Sequence, residues 1–308
     1  MLRRIRGLSP YPGGTLLLFI IIACLIASGD VVRAEIEKLT LFQKTGRAPL
    51  VVLADVIEGE DRLAVIRTRE IIQCSIPERP GKEFRIAFRL DSFLRKPWED
   101  RITFLKGEEV VLFLRKFTKD DGQQPDSDIY TLMWGAEGKF LLPPEGSAAY
   151  VEAVRRFGRI AGEKDPFAQE DMILEGIGSE NPFIVEASFE EALRQHLGTL
   201  SLLPSLIGYF KHPRDGFRIL AMRLIGQLIE DARIAEREIP SLEALADLVR
   251  GRAALDASAP LRVEAVTLIG VLRGEGSRSL LERLSREDPS QDVRYAASRV
   301  LLTWQSPR

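Results

Sequence analysis

Residues 288–301 read DPSQDVRYAASRVL, and the skeleton of that stretch occurs twice more upstream. Arg294, Ala297, Val300 and Leu302 match Arg262, Ala265, Leu268 and Gly270, which match Arg218, Ala221, Leu224 and Gly226 in turn. Self-similarity at a period of several tens of residues marks a chain built from stacked units. The spacing has a packing reason. An alanine three places after the arginine lies one helical turn along the same face and lets a neighbouring helix come close, and the Leu or Val a turn further fills the seam. Pro213 and Asp215 precede Arg218 as Pro289 and Asp292 precede Arg294. The prolines cannot extend a preceding helix, and the aspartates are expected to cap the next one.

Each template follows an apolar segment of helix length, at residues 202–210, 242–249 and 280–284. The predicted unit is therefore two helices joined by a turn. One such hairpin cannot cover its own apolar face, whereas stacked neighbours can, at roughly 1.5–3 kcal/mol for each Leu or Ile buried. A degraded fourth unit is expected upstream, with helices over 172–177 and 184–193, Ala187 in the alanine place and Ile184 in the arginine place. The pattern over about residues 167–304 resembles the HEAT and PBS-lyase-like repeats, and the domain is expected to span 167–308. The resemblance implies a right-handed α-solenoid and a protein-binding surface. Arg218, Arg262 and Arg294 are expected to form a polar ladder between repeats. Some relatives of these repeats are bilin lyases, which leaves an enzymatic alternative; export from the cytoplasm speaks against it, because pigment attachment is intracellular.

The first half has a different texture. Apolar, β-branched runs fall at 50–57, 63–72, 84–90, 110–117 and 129–134, with a Glu-Gly-Glu-Asp turn at 58–61. In residues 84–90, FRIAFRL, apolar side chains alternate with Arg85 and Arg89, as in a half-solvated strand. Five strands in such a span suit a small antiparallel barrel of the OB type, expected over residues 35–144. The segments PLVVLADVIEGEDRLAVIRTREI (49–71), GEEVVLFLRKF (107–117) and WGAEGKFLLP (134–143) resemble the OB-like modules of TIMP and netrin type. That resemblance implies a binding barrel, and leaves an inhibitor or small-ligand role as a further alternative. The inhibitory form uses an amino-terminal cysteine, which has no counterpart here. Residues 145–166 read as a connecting helix and linker, with Val151, Val154 and Phe157 forming one stripe.

Residues 1–34 carry Arg3, Arg4 and Arg6, then an apolar run over 15–27, then small residues, the grammar of an export signal. Val32 and Ala34 suit a cut before Glu35, and Ala27 and Gly29 suit one before Asp30. The leader admits two other readings. As an anchor, the apolar run spans about 20 Å against the ~30 Å of a hydrocarbon core. As a lipidation site, Ile-Ile-Ala-Cys at 21–24 offers Cys24 for acylation. Once the leader is removed, Cys74 is alone and no intrachain disulfide can form.

The chain carries a net charge of −2, and the leader holds four arginines against one aspartate, so the remainder is more acidic still. Arg85, Arg89, Arg95, Lys96, Arg101 and Lys106 are matched by Glu83, Asp91, Glu99, Asp100 and Glu108, and no nucleic-acid partner is expected. The only histidines, His196 and His212, are sixteen residues apart and expected at the surface, so neither a metal nor another cofactor is expected. Gly274-Glu275-Gly276 is too short for a dinucleotide loop, and Glu190/Glu191 is read as lying on a polar helix face. The sequence thus describes an exported, non-enzymatic binding protein. Its partners are proteins, and it meets a membrane only through its leader or an acyl group on Cys24.

Overall fold

The computed structural model describes residues 39–60, 63–77, 79–87, 102–117, 129–239, 242–274 and 276–305. The leader readings at Ala34 and Cys24, and most of the 85–106 basic cluster, fall outside them. The first half forms six strands: β1 (Leu50–Gly59), β2 (Leu63–Cys74), β3 (Glu83–Ala87), β4 (Glu109–Lys116), β5 (Ile129–Leu132) and β6 (Lys139–Leu141). Five of them close a barrel in the order β1-β2-β3-β5-β4 and back to β1, where Leu50 faces Leu114 and Ala54 faces Val110. The expected all-antiparallel barrel fails at one joint, since β3 and β5 run parallel, Arg85 beside Ile129. Parity requires it: strand directions cannot alternate all the way round a ring with an odd number of members. Three register shifts in the β1–β2 pair bend these two long strands around the barrel.

Leu50, Val52, Ala54, Val56, Ile66, Ile86, Leu112 and Leu114 fill the interior. Val51, Val111 and Phe113 point outward yet are buried, covered by Tyr150, Val151 and Val154. Two-sided burial explains why β1 and β4 read as unbroken apolar runs instead of alternating. β6 continues along the β4 edge that β5 leaves, Val110 facing Leu141. Between them, Trp134 and Gly135 turn the chain at positive φ, 58° and 59°.

Ten α-helices are described: α1 (Leu41–Arg47), α2 (Ser147–Gly162), α3 (Pro166–Ile177), α4 (Pro182–Gln195), α5 (Leu203–Gly208), α6 (Asp215–Ile234), α7 (Glu243–Leu255), α8 (Ala259–Leu272), α9 (Ser277–Glu287) and α10 (Gln291–Gln305). Asp165 and Asn181 cap α3 and α4 through their side chains, each followed by a proline whose missing N–H costs nothing at that position. The helix expected over 202–210 is broken into a six-residue α-helix between two 3-10 turns, with Pro204 at its start and Gly208 at its end.

Successive helices pair, α3 with α4, α7 with α8 and α9 with α10, and the second members pack in series, α4 on α6, α6 on α8 and α8 on α10. One apolar core runs through them, from Phe189 through Phe210, Ala221 and Ile225 to Ala265, Leu281 and Ala297. The α2 helix serves both halves. Its Tyr150–Val154 end lies on the barrel, and Phe157 and Ile160 pack with Ile173 and Ala187 of α3 and α4. Arg155 of α2 also donates to Glu70 of β2 (Nε, 2.8 Å). Residues 147–162 are therefore a packed beam, not a tether.

Candidate binding groove

Ala221, Ala265 and Ala297 are all fully buried at the crossings of α6, α8 and α10. The template glycines give room to the next helix. A Cβ on Gly226 would stand 3.6 Å from a Leu268 methyl, and one on Gly270 only 3.1 and 3.2 Å from the Val300 methyls. Leu302 occupies the corresponding place in α10 and is 63% exposed.

The template arginines do form a ladder. Arg218 Nη1 donates to Asp256 at 3.2 Å. Arg262 makes a two-point contact with Asp288, Nε at 2.9 Å and Nη2 at 2.8 Å, and its Nη1 reaches the Asp256 carbonyl at 2.9 Å. Arg294 Nη1 reaches the Asp288 carbonyl at 2.6 Å. Asp256 and Asp288 in turn accept the N–H of Ser258 and Ser290, at 3.1 and 2.8 Å. Hydrogen bonds from Arg262, against the opposing effect of burial, hold the Asp288 carboxyl below its ordinary range, and the same contact raises the Arg262 guanidinium.

The real sequence signature is thus Asp-x-Ser-x-x-x-Arg, present at 256–262 and 288–294 and overlooked in favour of proline spacing. His212 holds the equivalent position ahead of Arg218, and its Nδ1 accepts the Arg214 N–H at 3.1 Å. Asp215 does not cap α6 as expected. It is the first helical residue, the cap position falls on Arg214, and Asp215 pairs with Arg218 and with Ser258, which lowers its carboxyl.

Two further expectations change in the degraded unit. Counting from the Asn181 cap as the other helices count from theirs, Val185 and Ser188, not Ile184 and Ala187, hold the arginine and alanine places. Ser188 is fully buried against Gly176. Glu191, read as part of a polar face, is completely buried. It accepts from Thr40 Oγ1 at 2.7 Å, and from Arg194 and Gln195, because α1 arrives from far upstream to cover this side of α4.

A cleft of about 720 Å³ opens between the start of α4 and the α5–α6 corner. Its floor is ring-rich. His212 lies 4.8 Å from Phe217 and 5.8 Å from Tyr209, and Tyr209 lies 5.1 Å from Phe189. The Tyr209 hydroxyl donates to the Ile177 carbonyl, and burial pushes its phenol up. With Nδ1 accepting, the neutral His212 ring carries its proton on Nε2. Lys211, Arg214 and Glu180 line the cleft and stand exposed. Arg214 sits over the Phe217 ring at 5.8 Å. This groove escaped the sequence reading because its rings come from two elements that meet only at a corner. The one local hint was His212-Pro213 ahead of the template.

His196 ends α4 in the left-handed region and faces Asp231 at 3.2 Å, beside a smaller cleft of about 240 Å³. The nearby Thr199 hydroxyl bonds to Ser201 at 2.7 Å. Among the described residues no three His, Cys, Asp or Glu side chains gather as a metal site, and no helix is long and apolar enough to cross a membrane. Compared with family models, with curated proteins and with solved structures, the chain finds no match.

Proposed function

We propose that the chain is an exported, non-enzymatic protein-binding scaffold, in which a short solenoid of HEAT-like units holds a partner and an OB-like barrel braces or docks it. The serial packing of α4, α6, α8 and α10 supports the solenoid reading, since each unit covers the apolar face of the one before. The ring order β1-β2-β3-β5-β4, with its single parallel joint, supports the OB reading. The observation that carries the function is the ring-floored groove at the α5–α6 corner, next to arginines whose bonds are spent inside the chain. A helical stack that spends its template charges on internal ladders leaves recognition to its open seams. Export rests on the composition of residues 1–34.

Two measurements test this reading. Immobilised full-length chain retains a defined envelope protein that free chain competes away; an extract that passes through with nothing retained overturns the scaffold. Intact mass of the protein from its own compartment shows loss of residues 1–34, or an acylated Cys24, and an unshortened chain found in the cytoplasm overturns export.

A further inference from the structure

We infer that the groove at the α5–α6 corner takes an extended segment of the partner protein in which a carboxylate stands beside an aromatic or proline side chain. This rests on the scaffold reading and assigns it a chemistry. The charges argue for the carboxylate. Arg218 and Arg223 of α6 and Arg262 of α8 each pair with an acidic side chain, whereas Lys211 and Arg214 form no ion pair with any described residue. Both line the one cleft, where the His212 Nε2–H is a further donor and Glu180 is the one acid among the lining residues. On a chain of net negative charge, two uncompensated cations at the edge of a concavity create a local field that favours an anion.

The floor argues for the ring. Tyr209 and His212 are half-buried, their partly covered faces backed by buried Phe217, with Pro182 and Pro213 along the walls. An apolar side chain set there contacts rings already fixed by their own packing, so little ordering is needed on binding. Gly208 leaves its stretch of wall without a side chain, and a Cβ built on it meets nothing within 4 Å. A peptide backbone can therefore approach closely there. Arg214 is already held over Phe217, so its guanidinium is placed before the partner arrives.

The test uses the full chain and fluorescein-labelled Gly/Ser twelve-mers, titrated by anisotropy at low and moderate salt. One carries Asp-Glu-Phe-Pro at its centre, one Lys-Lys-Phe-Pro and one Asp-Glu-Ala-Ala. The first binds most tightly and weakens with salt. The exposed pair Lys211→Glu and Arg214→Glu weakens it about tenfold, and Gly208→Trp, which fills open space in the groove, removes it. Equal or better binding of the lysine peptide overturns the inference, as does binding unchanged in both variants, or binding to none of the peptides but to vesicles of anionic lipid. Retention of the envelope protein separates the two levels. If Gly208→Trp retains it as the native chain does, the groove assignment falls and the scaffold stands; if the native chain retains nothing, the scaffold falls.

Discussion

Arg262 donates to Asp288 at two points in a site where both side chains are nearly dry, so removing the cation strands a carboxylate. Arg262→Met is expected to cost about 3 kcal/mol in urea unfolding at neutral pH. The Asp288 carboxyl titrates below its ordinary value in the folded chain. Its contribution is therefore complete above the unfolded value of about 3.9 and is lost as pH falls through the lower, folded one. The gap between native and Arg262→Met stability should shrink below about pH 4, and a gap that stays constant down to pH 2 would remove Asp288 as the partner. The template glycines give a matched pair. Gly226→Ala meets only ordinary contact and should gain about 0.5–1 kcal/mol from helix propensity, whereas Gly270→Ala presses on Val300 and should gain little or lose. Equal gains in thermal melts would show that neither glycine is there for close approach. Arginine, alanine and glycine were legible because one geometric demand recurs at each helix crossing. Their acceptors Asp256 and Asp288 were less so, because they belong to the preceding turn and are not part of the apolar periodicity.

Among elements, α1 shows how a short helix is kept in place. Thr40 caps it and closes a capping box with Gln43, and the same hydroxyl donates to buried Glu191 of α4. Seven residues would not hold a helix alone. In a cycle of Thr40→Val, Glu191→Leu and the double change, each single variant is expected to lose about 1–2 kcal/mol and the double to lose less than their sum, since Leu is what α6 and α8 carry at that place. Strict additivity would show that the contact contributes nothing. The strands of the barrel were readable from β-branched runs and turn signals, whereas α1 was not, because nothing near residue 40 announces an acid 151 positions away. Likewise, the apolar run over 202–210 read as one helix, whereas Pro204 and Gly208 break it into a short α-helix between two 3-10 turns, a corner that apolar content alone does not reveal.

Across the whole molecule, α2 carries the connection. A chain ended at Pro144 uncovers Val51, Val111 and Phe113, which α2 buries, at a cost of roughly 1.5–3 kcal/mol for each large side chain. Such a fragment is expected to bind a hydrophobic dye and to melt without a cooperative transition, whereas one continued through Gly162 regains a sharp one. A sharp transition in the shorter fragment would show that the barrel needs no cover. The boundary between halves that composition suggested at residue 145 is a change of secondary structure, not a seam in the packing.

At the far end, Leu302 stands where Gly226 and Gly270 admit the following helix. A hairpin packed on α10 as α8 packs on α6 would meet that branched butyl group, so a simple duplicate of the last unit is expected to need a smaller residue at 302. An engineer who wished to graft on another module would have to pull that plug first.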